Sequence, residues 1–124
     1  MKKNRKVFGL LFICTFIISQ AFSQVEVYDL RCEYLNNPEG VDVNNPRLYW
    51  KLKSNENGQL QTAYRIIVAS SHEQLAKDVG NVYDSKRVKS SANTHIELNM
   101  PLQAATDYYW KVQVWDKNRK AAWS

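Results

Sequence analysis

Residues 107–116 alternate without interruption. Tyr108, Trp110, Val112 and Val114 fall on one side; Tyr109, Lys111, Gln113 and Trp115 fall on the other. A helix would scatter both sets around its axis, so a period of two over this length describes a strand with one apolar face. That face has to be covered, and a one-sided strand of this kind packs against a second sheet.

Further segments carry the same period between turn signals. Val25 and Val27 open a first strand that ends near Arg31. Residues 47–53 set Leu48, Trp50 and Leu52 against Arg47, Tyr49, Lys51 and Lys53. Residues 62–70 oppose Tyr64, Ile66 and Val68 to Ala63, Arg65 and Ile67, so this strand is expected to be nearly buried on both sides. Val82-Tyr83-Asp84 resumes the pattern, as do residues 94–98, where Ile96 and Leu98 share a face. Asn36-Asn37-Pro38-Glu39-Gly40 and Asn44-Asn45-Pro46 form a Pro-bearing loop, and Ser54-Asn55-Glu56-Asn57-Gly58 a turn. Ser71 with Gln74 three residues on reads as a capping box opening a short helix, and Gly80 stands where its stop is expected.

The first residues differ in kind. Lys2, Lys3, Arg5 and Lys6 precede the uncharged apolar residues 7–18, followed by Ser19, Gln20 and Ala21-Phe22-Ser23. Basic, apolar and small-residue stretches in that order form an export signal. Residues 1–23 are therefore expected to be a signal-peptide helix, with 24–124 as the folded module, destined for the periplasm, cell surface or medium. The apolar run is shorter than the about 20 residues that span a bilayer, so no membrane contact is expected after cleavage. Of the 17 Lys+Arg and 12 Asp+Glu that give a net charge of +5, four basic residues and no acidic ones lie in the leader. The module carries 13 against 12, a balance of +1, which is no footprint for nucleic acid.

Cleavage leaves Cys32 alone. One Cys forms no internal disulfide, so the fold must rest on an apolar core in which Cys32 is a small packing residue. About 101 residues is the size of an immunoglobulin-like sandwich. Short strands at regular spacing with no long helix place the chain in the all-β class, as a β-sandwich. Ala121-Ala122-Trp123-Ser124 reads as the opening of a last strand left incomplete at Ser124, so the chain is expected to be the front of a longer secreted protein, truncated in that strand.

Leu102 and Tyr108, followed by alternating Trp110, Val112 and Val114, resemble the fibronectin type III pattern, in which the Leu and Tyr mark a tyrosine corner and an early-strand Trp, here Trp50, is a core landmark. A more specific resemblance covers nearly all of 28–124. Leu30-Arg31-Cys32-Glu33-Tyr34, Asn37-Pro38-Glu39-Gly40-Val41-Asp42, Pro46-Arg47-Leu48-Tyr49-Trp50, Gln61-Thr62-Ala63-Tyr64-Arg65-Ile66-Ile67-Val68-Ala69-Ser70-Ser71, Tyr83-Asp84-Ser85 and Tyr109-Trp110-Lys111-Val112 occur in order. This set resembles the N-terminal fibronectin-like domain of bacterial secreted α-L-rhamnosidases. The resemblance implies an accessory β-sandwich followed by further β-domains and an (α/α)6-barrel that removes terminal α-L-rhamnose with inversion. Its catalytic carboxylates would lie in the barrel, beyond Ser124. Two turns depart from the pattern: Lys86 follows Asp84-Ser85 where Gly is usual, and Asp116-Lys117-Asn118-Arg119-Lys120 lacks a turn Gly.

The residues themselves offer little chemistry. Inverting hydrolysis needs an acid and a base about 6.5–9.5 Å apart, yet acidic residues such as Glu26, Asp29, Glu56 and Glu97 are spaced singly and read as solvated surface charge. His72 and His95 have no Cys or carboxylate at metal-ligand spacing, and no phosphate loop or nucleophile elbow is present, so no catalytic residue, metal or cofactor is assigned. Trp50, Tyr64, Tyr108 and Trp110 are read as core landmarks. Trp115, Trp123 and Tyr83 are the candidates for contact with a following domain of the same polypeptide or with a rhamnose-containing glycan. The competing reading is a stand-alone secreted module that binds glycan or protein.

Overall fold

The computed structural model describes residues 25–34, 40 and 44–124. The expected export signal and residues 35–39 and 41–43 of the Pro-bearing loop lie outside them. Among the described residues, seven strands form two antiparallel sheets. The first holds β1 (Glu26–Cys32), β2 (Arg47–Lys53) and β5 (Ile96–Glu97) in the order β1-β2-β5. The second holds β3 (Gln61–Ala69), β4 (Tyr83–Asp84), β6 (Tyr109–Asp116) and β7 (Ala121–Trp123) in the order β4-β3-β6-β7. A short helix, α1 (His72–Ala76), follows β3. The molecule is the expected immunoglobulin-like sandwich.

Its centre is the pairing of the two most β-prone segments. β3 and β6 are rich in β-branched and aromatic residues, which suit a pleated, buried surface. They run antiparallel with Tyr64 opposite Val114, Ile66 opposite Val112 and Val68 opposite Trp110. These pairs share a core with Val27, Leu48 and Trp50 of the other sheet and with Val25 just before it. The outward row of β3 is covered as well: Ala63, Ile67 and Ala69 are fully buried, as the double-sided pattern required.

One buried side chain crosses from sheet to sheet. Trp50, 1% exposed, projects from β2 and donates its Nε1–H to Gln61 Oε1 on β3 at 2.9 Å. Its ring meets Tyr64 edge-on, 5.4 Å between centroids. Gln61, 2% exposed, in turn donates Nε2–H to the carbonyls of Ser90 (3.1 Å) and Ala92 (2.7 Å). Here the chain changes sheets. Val88 and Tyr64 exchange backbone hydrogen bonds and Ser90 N–H donates to Thr62 O, whereas Trp50 N–H donates to Asn93 O. Asn93 Nδ2 returns a bond to Trp50 O at 3.0 Å. A break in register between Gln61 and Ala63 leaves Thr62 as an extra residue. That bulge turns Gln61 inward, out of the row that strict alternation would give it.

Three local readings change. Gly80 does not stop α1, which ends at Ala76 with Lys77 as its C-cap. Its lack of a side chain serves packing instead: a Cβ there would stand 2.3 Å from Tyr83 O and 2.8 Å from Ile67 Cβ. The N-terminal reading of that helix holds, since the Ser71 hydroxyl accepts from Gln74 N–H. Tyr49, on the polar side of β2 by parity, is buried. Asp116 is no surface charge: it is fully buried, and its Oδ1 accepts from Asn118 N–H (2.8 Å) and Lys120 N–H (3.0 Å), closing the β6–β7 turn. The two turns without Gly are closed by Lys86 (φ 57°) and Arg119 (φ 62°), left-handed positions that disfavour residues with a Cβ.

Replacing Gln61 by Leu strands the Trp50 N–H and two carbonyls inside the protein, and each unsatisfied group costs about 1–3 kcal/mol. Urea unfolding should therefore show a loss of at least about 2 kcal/mol; a loss below about 0.5 kcal/mol would mean the bond is dispensable. Lys86→Gly and Arg119→Gly should each raise stability by about 0.5–1 kcal/mol in the same measurement, and a loss at either position would refute the strain.

Candidate functional site

The outer face of the four-stranded sheet gathers both candidate tryptophans. Trp115 lies between Ala63 and Ala121 in one cross-strand row, and Trp123 lies opposite Gln113 in the next. Each half-buried ring carries a cation: the Arg87 guanidinium sits 4.7 Å from the centroid of Trp115, and Lys111 Nζ 4.5 Å from that of Trp123. Lys111 also ion-pairs with Asp78, beyond the end of α1. Arg65, in the same row as Gln113 and Trp123, binds Asp84 through two bonds of 3.0 and 2.7 Å. Tyr83 does not join this face. It pairs with Val68, shares the inward side of the sheet and packs on the core.

The landmark aromatics sort by depth. Trp50 is fully buried, and Tyr64, Tyr108 and Trp110 pack against the core while partly exposed. The Tyr108 hydroxyl accepts from Gln103 N–H at 3.0 Å, a bond back to the backbone that pins the entry to β6, as in a tyrosine corner.

Several carboxylates are held by cations. Hydrogen bonds from Lys51 and then Arg31 keep Asp29 below the usual carboxylate range, and Arg47 does the same for Glu33. Asp84 is pulled well below it, chiefly by Arg65 and then by Lys86. A general acid needs the opposite shift, so these groups serve as ion-pair partners. Because the folded form of Asp84 ionises below the unfolded one, the stability it contributes is complete above the ordinary aspartate range and fades as the pH falls beneath it. Among the described residues no three His, Cys, Asp or Glu side chains group to hold a metal, and no helix is long and apolar enough to cross a membrane. Burial pushes the Cys32 thiol up to about 11, which fits a packing residue and not a nucleophile.

A second cluster has no counterpart in the sequence reading. On the outer face of the three-stranded sheet, Tyr34 and Tyr49 lie 4.4 Å apart between ring centroids, and His95 meets the edges of both. Tyr34 and His95 share a 2.9 Å hydrogen bond from Oη to Nε2. Arg47 sits over Tyr34, 5.6 Å from its centroid, and binds Glu33 Oε2 at 2.9 Å. Tyr49 is 8% exposed, and its hydroxyl is buried without a hydrogen bond among the described residues. Burial first, and then the neighbouring Tyr34 hydroxyl, push its phenol up to about 12, although the Tyr34 hydroxyl is committed to His95. No local pattern could have found this group, because its members come from a turn, a strand and a distant loop.

Sandwich topology and the tyrosine corner define an immunoglobulin-like β-module. Residues 27–124 match the family model described as the Rha78A-like, N-terminal immunoglobulin domain, and the chain belongs to that family. A curated α-L-rhamnosidase of Formosa agariphila is 36% identical over 131 residues, covering 100% of this chain and 14% of its own length. The solved α-L-rhamnosidase of Dictyoglumus thermophilum superposes with a TM-score of 0.75 at 39% identity, over 79% of this chain and 11% of that one. The Streptomyces avermitilis α-L-rhamnosidase complexed with L-rhamnose gives 0.76 at 36%, over 81% and 10%. The chain thus spans a small share of the relatives it matches.

Proposed function

We propose that this chain is the accessory module at the front of an exported α-L-rhamnosidase-like glycoside hydrolase. Residues 1–23 direct export, and 24–124 form a sandwich that supports the domains carrying out removal of terminal α-L-rhamnose. The observation that carries this reading is the match of residues 27–124 to a domain whose relatives keep it at one end of far longer α-L-rhamnosidases. Electrostatics agree, because the carboxylates most perturbed in the module are stabilised as anions and none is poised to donate a proton.

Within that reading, the outer face of the four-stranded sheet packs against the following domain. Trp115 and Trp123 lie where the chain leaves the sandwich, and half-buried aromatics with cations over them make efficient interface anchors. Rhamnose-containing glycans are the polymers such an enzyme would meet. The competing reading, a binding module with no enzyme attached, draws its support from the exposed Tyr34 ring on the opposite sheet.

Assayed alone on an aryl α-L-rhamnoside, the chain should release no aglycone. Trp115→Ala and Trp123→Ala should leave its circular dichroism spectrum unchanged, because both rings stand outside the core. Turnover above the buffer blank would overturn the accessory reading, and unfolding of either variant would move that Trp from the interface to the scaffold.

A further inference from the structure

We infer that Asn57-Gly58, in the turn between β2 and β3, is a site of spontaneous covalent modification, where the Asn57 amide is lost through a cyclic imide to leave a mixture of aspartate and isoaspartate. The inference goes beyond the accessory reading and stands without it. The sequence singles out the pair, because Asn57 alone among the asparagines of this chain is followed by glycine. A Cβ on the following residue crowds the approach of its backbone nitrogen to the asparagine side chain, and glycine has none.

The fold leaves both reacting groups free. Residues 55–58 are exposed, and a Cβ placed on Gly58 (φ 73°) would meet nothing within 4 Å. The residues around the pair are tied down. Ser54 Oγ accepts from Glu56 N–H at 3.1 Å, Gln59 Oε1 accepts from Leu60 N–H and Lys117 N–H, and Glu56 pairs with Lys117 at 3.2 Å. Among the described residues no hydrogen bond holds the Asn57 side-chain amide or the Gly58 N–H. Other asparagines are held differently. Both amide atoms of Asn81 are bonded to Ser70, and Asn93 Nδ2 donates to Trp50 O.

The step needs only water and hydroxide. Hydroxide takes the Gly58 amide proton, and the nitrogen attacks Asn57 Cγ. The N–Cγ bond forms as the Cγ–Nδ2 bond breaks, and the leaving nitrogen takes a proton from water and departs as ammonia, which restores the hydroxide. Water then opens the five-membered imide at one of its two carbonyls. Opening at Cγ leaves aspartate in an unchanged main chain; opening at the main-chain carbonyl reroutes the backbone through Cβ and Cγ as isoaspartate. Either product sets a new carboxylate beside Glu56 and takes the balance of the module from +1 to zero.

Incubation of the folded 124-residue chain at mildly alkaline pH, with a parallel sample in urea and peptide mapping by mass spectrometry, tests the site. Acid and isoaspartate forms should accumulate at position 57 before any other asparagine, faster as the pH rises. No hydrogen bond worth about 1 kcal/mol has to open first, so the folded chain should convert within about tenfold of the unfolded rate. Gly58→Asn adds a Cβ while tolerating the left-handed turn, and should slow conversion at position 57 several-fold with the circular dichroism spectrum unchanged. Position 57 left intact in the folded chain under conditions that convert it in urea would overturn the inference. Earlier conversion at another asparagine, or an unchanged rate in Gly58→Asn, would do the same.

Discussion

The hydrogen bond from Trp50 to Gln61 is the constraint on which the rest of the sandwich depends. It joins residues of different sheets inside the core, and the same Gln61 amide holds the carbonyls of Ser90 and Ala92 where the chain leaves one sheet for the other. Asn93 and then β5 can line up along β2 only if that crossing is fixed. With no disulfide among the described residues and Cys32 a packing residue, the two sheets are registered by this polar clamp set in an apolar core. A half-satisfied buried network is worse than none, so the complete pairing of Gln61 is what makes it a stabilising feature.

Most of the fold was legible because period-two patterns run the length of β2 and β6 and most of β3. β2 begins and ends as the alternation required, and β3 and β6 differ from the expected limits only at their ends. What was hidden had a physical reason in each case. Gln61 shares parity with the outward Ala63 and Arg65, and only the bulge at Thr62 brings it inside. Asp116 extends the inward row of Val112 and Val114, but a carboxylate there reads as surface until its turn is seen to donate to it. Tyr49 is outward by parity and is buried by Tyr34, a contact that depends on a left-handed turn no propensity announces. The helix stop failed for a simpler reason: Gly80 was needed for close approach to Ile67 and not for a turn.

The candidate surfaces were legible only in part. Parity put Trp115 outside, and the structure sets Trp123 on the same sheet face, each under a basic side chain from another element. Tyr83 faces inward because β4 takes its register from Val68. The module thus has two unlike outer faces. One presents tryptophans under cations, with ion pairs at its margin; the other presents an exposed tyrosine packed on a buried one. Neither resembles the paired carboxylates of hydrolytic chemistry, in keeping with a domain that matches 10–14% of the length of α-L-rhamnosidases.

The accessory role is tested most directly by the size of the native product, detected in fractionated cells with an antibody raised against residues 24–124. An exported band roughly seven to eight times the mass of this chain is expected, the ratio set by matches of 100% of this chain to 14% of one relative and 81% to 10% of another. A band at the mass of the 124-residue chain or its processed form would contradict it and leave a free-standing module.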